Sequence, residues 1–169
     1  MPLLLGIDPG LASTGYGLLA DERVVGCGTI QTPPGPAGPR LLAIVHELEA
    51  LLRVHPIQEA ALEELFMGRN RTSVLGVAQA RGAILATLEG AGIPTFEYKP
   101  AQVKSILTGY GMADKKQMSR MLGAQVKTNG LAMDDHAADA IAIAVCHARS
   151  RRLRIATLTT GGWGDAPSS

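Results

Sequence analysis

Unbroken apolar runs and helical spacings follow one another along the chain and predict an α/β order of elements. The first run, Leu3-Leu4-Leu5-Gly6-Ile7, has no polar position, as expected of a strand buried on both faces, and it ends on Asp8. Pro9-Gly10 then turns the chain. Tyr16 to Ala20 and Val24 to Thr32 read as the next two strands, joined tightly at Asp21-Glu22, so the first three strands form an antiparallel meander. Pro33 to Pro39 reads as a loop. Leu41, Val45, Leu48 and Leu52 recur at helical spacing until Pro56 ends the helix.

Gln58 to Phe66 is apolar again and carries Glu63 and Glu64. A strand, helix and strand in one sheet imply a right-handed crossover, which sets this fourth strand parallel to the first and beside it. Carboxylates at matching ends of two such strands can share one cation, because neighbouring strands lie about 4.8 Å apart. Both glutamates have apolar neighbours, so alternation leaves open which of the two faces the site.

Ser73 is a suitable N-cap for a helix to about Glu89. Its apolar residues cover most of its circumference: Val74, Val77, Ile84 and Leu88 on one side, Leu75, Ala78, Leu85 and Ala86 on others. One sheet face cannot bury them all, which points to a two-fold partner packed through Leu75 or Leu85. A strand at Thr95 to Tyr98, a short helix from Pro100 to Leu107 and a basic amphipathic helix over 114–127 come next. Asp134 or Asp135 then caps a last helix from His136 to about Arg152, and the tail beyond residue 157 is rich in Gly and Ser. The expected layout is one domain over 1–157 with a mobile tail over 158–169.

Charge sharpens this picture only through its distribution. The net charge is +1, yet residues 99–127 hold six basic side chains against the single acid Asp114, and Arg149, Arg151, Arg152 and Arg154 cluster near the end of the last helix. Acids gather near Glu63 and from Asp134 to Asp139. An acidic centre with basic flanks suits a polyanion brought to a metal, although a solvated surface would have the same composition. Cys27 and Cys146 form no C-x-x-C pair, as in a cytoplasmic protein with reduced thiols. The N-terminal run is too short for a signal peptide, and no apolar segment approaches the ~20 residues that span a bilayer.

The candidate chemistry lies in four residues. Asp8 is either a turn-stabilising aspartate or a metal ligand, and His136 and Asp139, three apart, share one face of a helix otherwise made of Ala, Ile and Val. Together with Glu63 they offer mainly oxygen donors, which suits Mg²⁺ or Mn²⁺. Two such ions about 4 Å apart can clamp a phosphodiester for in-line attack by water.

In combination these residues resemble the RuvC family of Holliday junction resolvases, from about Leu3 to Arg152. The resemblance rests on Gly6-Ile7-Asp8-Pro9-Gly10 with Thr14-Gly15-Tyr16-Gly17, on Leu62-Glu63 with Phe66-Met67, on Gly76 with Gln79-Ala80-Arg81-Gly82, and on His136-Ala137-Ala138-Asp139-Ala140. It implies a ribonuclease H-like fold with a mixed five-stranded sheet of order 3-2-1-4-5, and a homodimer that nicks two strands of a four-way DNA junction. It also implies a metal site of Asp8, Glu63, His136 and Asp139 holding two Mg²⁺ or Mn²⁺ ions. Phe66 would contact bases near the crossover, Lys104 and Lys115 the DNA backbone, with Arg69, Arg71 and Lys116 as further candidates. A branch-migration motor of the RuvA and RuvB type is the implied partner. The family often has Asp where His136 stands. Asp135 is the neighbouring alternative, but one residue rotates a helix by about 100°, which takes Asp135 off the face of Asp139. Rival readings are an ATP-using protein of the actin, chaperone and sugar-kinase group, a related nuclease acting on ribosomal RNA precursors, and a non-catalytic DNA-binding module. Against the first, no second Asp-x-Gly turn is present.

Overall fold

The opening apolar run forms β1 (Leu3–Asp8), and it is the centre of the sheet, with Asp8 its last residue. The computed structural model describes residues 1–65 and 71–160, with the backbone alone for 71–73 and 157–160. β2 (Ser13–Ala20) and β3 (Arg23–Gln31) pair antiparallel as a meander, and Asp21 makes their tight connection with φ of 55°, a left-handed conformation that Asp tolerates. β4 (Glu59–Glu63) lies parallel to β1, and β5 (Thr95–Tyr98) parallel to β4. The order is β3-β2-β1-β4-β5, as expected.

Five helices complete the chain: α1 (Ala37–Val54), α2 (Arg71–Gly90), α3 (Pro100–Thr108), α4 (Lys115–Gln125) and α5 (Asp135–Thr160). Several boundaries differ from the sequence expectation: β2 begins at Ser13, β4 runs from Glu59 to Glu63, α4 covers Lys115–Gln125, and three further helix ends shift. α1 begins at Ala37, so Pro39 belongs to its first turn, where a missing N–H leaves no intrahelical bond unmade. α2 begins at Arg71, which puts Ser73 inside the helix and not at its cap. α5 runs on to Thr160, past Arg152; of the expected tail, residues 161–169 lie outside the described residues.

Alternation along the strands sorts side chains to two faces. Leu5, Ile7, Ala60 and Leu62 meet Ile44 and Leu48 of α1 and Ala80, Ile84 and Leu88 of α2. Ala61 and Tyr98 meet the opposite layer, with Val103 of α3, Leu122 of α4 and Ile141 and Ala144 of α5. α5 lies unusually close to the sheet because glycines stand beneath it. A Cβ on Gly6 would fall 2.0 Å from the main-chain oxygen of Ala140, and one on Gly15 would fall 2.1 Å from that of His136. Backbone thus rests on backbone, and the first turns of α5 are carried over the end of β1.

The arginines near the end of α5 do not flank the acidic centre. Arg149 donates to the Ile106 carbonyl at 2.9 Å, Arg151 pairs with Glu59 at 3.0 Å, Arg152 stands 3.9 Å from Asp21, and Arg154 lies over the Phe96 ring at 4.7 Å. Glu59 begins β4 and Asp21 follows β2, so this cluster knits the edge of the sheet opposite Asp8. His147, fully buried, completes the arrangement between the Tyr98 hydroxyl at 2.7 Å and Glu59 at 2.8 Å.

Candidate active site

The parallel register Ile7↔Leu62 carries β1 and β4 to a common end, so the next step along each strand sets Asp8 beside Glu63. The pleat decides between the two glutamates. Ala61 packs beneath α5, so Glu63, two residues on, shares that face, while the Glu64 N–H is taken up by the Tyr98 carbonyl at 2.8 Å. α5 brings the other two residues. Its N-cap is Asp134, whose carboxylate accepts from the Ala137 N–H at 2.9 Å and from the Thr29 hydroxyl at 2.7 Å, tying the helix start to β3. Asp135 pairs with Lys115 of α4 at 2.7 Å.

Asp8, Glu63 and Asp139 line one cleft of about 290 Å³, with Lys104 of α3 and Lys115 and Met118 of α4 on its walls. His136 Nδ1 donates to Asp8 Oδ2 at 3.1 Å. Loss of water pushes the Glu63 carboxyl up to about 6, reinforced by the charges of Asp8 and then Asp139, with Lys104 opposing. Asp139 is raised by loss of water and then by Asp8, against the pull of Lys115 and His136. Burial also raises Asp8, against the hydrogen bond and charge of His136. Asp8 thus raises both Glu63 and Asp139, and Asp139 raises Glu63, so negative charge accumulates in the cleft and a cation there would relieve it.

The donor set fits a hard divalent cation, being carboxylate oxygens with one imidazole. Among the described residues, however, no three His, Cys, Asp or Glu side chains stand close enough together to hold an ion. The carboxylates surround the cleft and do not close on a point. Of the expected DNA contacts, Lys104 and Lys115 face this cleft and Lys116 is exposed on α4. Phe66 and Arg69 lie outside the described residues, as does the side chain of Arg71, the first residue of α2.

Sequence reasoning gave no role to Arg81 of α2. Its guanidinium donates to the main-chain oxygen of Glu63 at 2.6 Å and pairs with the Glu97 carboxylate. The one available signal was a charge within the motif Gln79-Ala80-Arg81-Gly82, in the mostly apolar middle of the helix.

Residues 4–147, spanning all five strands and the part of α5 that bears the site, match the family model described as Crossover junction endodeoxyribonuclease RuvC. The chain belongs to the RuvC family. A RuvC of Syntrophomonas wolfei is 47% identical over 155 residues, covering 89% of this chain and 90% of its own length. One from Roseiflexus is 45% identical over 148 residues, covering 85% and 88%. Among solved structures, T. thermophilus RuvC in complex with Holliday junction substrate superposes with a TM-score of 0.85 at 31% identity, covering 91% of this chain and 97% of that one. Proteins of this name are crossover junction endodeoxyribonucleases, and the ribonuclease H-like fold expected for the family agrees with the observed sheet. No helix among the described residues is long and apolar enough to cross a membrane.

Proposed function

We propose that this chain is a structure-selective endonuclease that resolves four-way (Holliday) DNA junctions by paired symmetric nicks, acting in recombination and repair. The observation that carries the reading is the cleft in which Asp8, Glu63 and Asp139, from three separate elements, face Lys104 and Lys115. A T. thermophilus relative whose fold superposes on this one is itself complexed with Holliday junction substrate.

Asp8, Glu63, His136 and Asp139 would hold two Mg²⁺ or Mn²⁺ ions, which when bound supply an activated water and a counter-charge for the leaving oxygen. Lys104 and Lys115 would receive the phosphates on either side of the scissile one and keep the strand in register. The hydrogen bond from His136 holds one Asp8 oxygen and leaves the other free for the cleft. In the hydrolysis, oxygen from water joins phosphorus as the P–O3′ bond breaks, leaving phosphate on the 5′ end and a hydroxyl on the 3′ end. Phe66, Arg69, Arg71 and Lys116 are the further DNA contacts in this reading.

Paired nicks require two sites related by symmetry, which a homodimer packed through α2 would supply. Residues 1–157 would act as one nuclease domain in the cytoplasm, alongside a branch-migration motor of the RuvA and RuvB type. The test is cleavage of a synthetic four-way junction, a linear duplex and an RNA of the same sequence, with and without Mg²⁺. Nicks in two junction strands of like polarity, dependent on the metal and absent from the other substrates, are expected. Equal cutting of linear duplex or of RNA would overturn the reading.

A further inference from the structure

We infer that Arg81 is a positioning residue for Glu63, holding the end of β4 so that the glutamate stays aimed into the cleft; this rests on the reading of that cleft as the nuclease centre. The Arg81 side chain is only 11% exposed and sits on the same helix as the buried Ala80 and Ile84. A guanidinium so nearly removed from water is costly unless it is paired and its donors are used.

Its two partners lie on different strands. One side of the fork meets the Glu97 carboxylate of β5, and the other donates to the main-chain oxygen of Glu63 at 2.6 Å. Glu63 is the last residue of β4, so no further strand residue fixes its direction from the C-terminal side. The peptide unit joining Glu63 to Glu64 is instead held at both ends. Its N–H donates to the Tyr98 carbonyl at 2.8 Å, and its oxygen accepts from Arg81. Holding that plane restrains ψ of Glu63 and with it the direction in which the Cα–Cβ bond leaves the end of the strand. The hold acts where the charges of Asp8 and Asp139 oppose that of the Glu63 carboxylate. Arg suits the task better than Lys, because a planar fork can bind a carboxylate and a carbonyl at once while an ammonium offers no fixed pair of directions.

Three variants test the inference: Arg81→Met, Arg81→Lys and Glu97→Gln. Each is measured for junction affinity by gel shift, for single-turnover cleavage at saturating protein, and for Mn²⁺ binding by electron paramagnetic resonance. Both Arg81 variants should bind the junction as the wild type does, within about twofold, cleave it at least about tenfold more slowly, and bind Mn²⁺ more weakly, since a displacement near 1 Å can cost about a hundredfold. Glu97→Gln leaves the bond to the carbonyl in place and should stay within about threefold of wild type in all three. Wild-type cleavage and Mn²⁺ binding in Arg81→Met would overturn the inference. So would losses in both Arg81 variants that merely follow a fall in thermal stability, with Glu97→Gln losing as much. If the wild type itself fails to cut junctions, the nuclease reading is what fails, and Mn²⁺ binding by the variants still decides the role of Arg81.

Discussion

His136 Nδ1 stands 3.1 Å from Asp8 Oδ2, joining the first turn of α5 to the last residue of β1 across 128 positions of sequence. The contact is made possible by Gly15, whose missing side chain leaves room for the main chain of His136. Asp135 pairs with Lys115 at 2.7 Å, so of the two neighbouring residues it is His136 that bonds to Asp8.

If His136 ligates a metal, metal use should shift. Imidazole is neutral and softer than carboxylate, so a site it helps to form should accept Mn²⁺ more readily than a four-carboxylate site would. His136→Asp should lower the ratio of Mn²⁺-supported to Mg²⁺-supported cleavage severalfold. An unchanged ratio would count against ligation by His136.

Gly15→Ala should both destabilise the fold and slow cleavage. The new methyl would lie 2.1 Å from the His136 oxygen and 2.4 Å from its carbonyl carbon, and these are backbone atoms that no rotamer change can move. α5 must lift as a unit, at a cost of about 1–3 kcal/mol by the usual penalty for overpacking. A urea midpoint equal to that of the wild type would show that the helix has slack there.

Much of this arrangement was legible in the chain because strand ends and helix faces are local properties. Asp8 closing an apolar run, the tight turn at Asp21, and His136 and Asp139 three apart all followed from spacing. The choice between Glu63 and Glu64 did not, since alternation gives a phase only once one residue is placed, and it was Ala61 packing beneath α5 that placed it. The arginines of α5 were misread for a related reason. Composition gives their number, but their partners Glu59, Asp21, Phe96 and the Ile106 carbonyl are distant in sequence. Pro39 and Ser73 misled as local signals, because proline is tolerated in the first turn of a helix and serine within it.

Glu63→Gln should stabilise the metal-free protein, and the gain should depend on pH. Glu63 titrates at about 6 in the fold against 4.5 for the ordinary group, so the folded state holds its proton more tightly. Above pH 6 the ionised carboxylate therefore destabilises the fold, and below pH 4.5 it is protonated in both states and costs nothing. The variant should be more stable at pH 8 by on the order of 1 kcal/mol after allowance for solvent screening, with the advantage fading between pH 6 and 4.5. Denaturation in EDTA measures this, and an advantage that grew on acidification would contradict the assigned direction.

Leu75→Glu should give a folded monomer. Leu75 is 61% exposed on α2, whereas Leu85 packs against the core shared with α1, so Leu75 marks the side available to a partner. Analytical ultracentrifugation at micromolar concentration should find the wild type dimeric and this variant monomeric, with paired nicks lost. A dimeric Leu75→Glu would move the interface to another surface.

The most direct measurement is a comparison of Asp8→Asn with the wild type on one four-way junction, following gel shift and cleavage in the same samples with Mg²⁺. Removing one charge from the cleft of Asp8, Glu63 and Asp139 should abolish cleavage while leaving junction binding intact or stronger, because repulsion of the phosphates falls as the metal site fails. Cleavage at the wild-type rate, or loss of junction binding together with cleavage, would contradict the assignment of Asp8 to the catalytic centre.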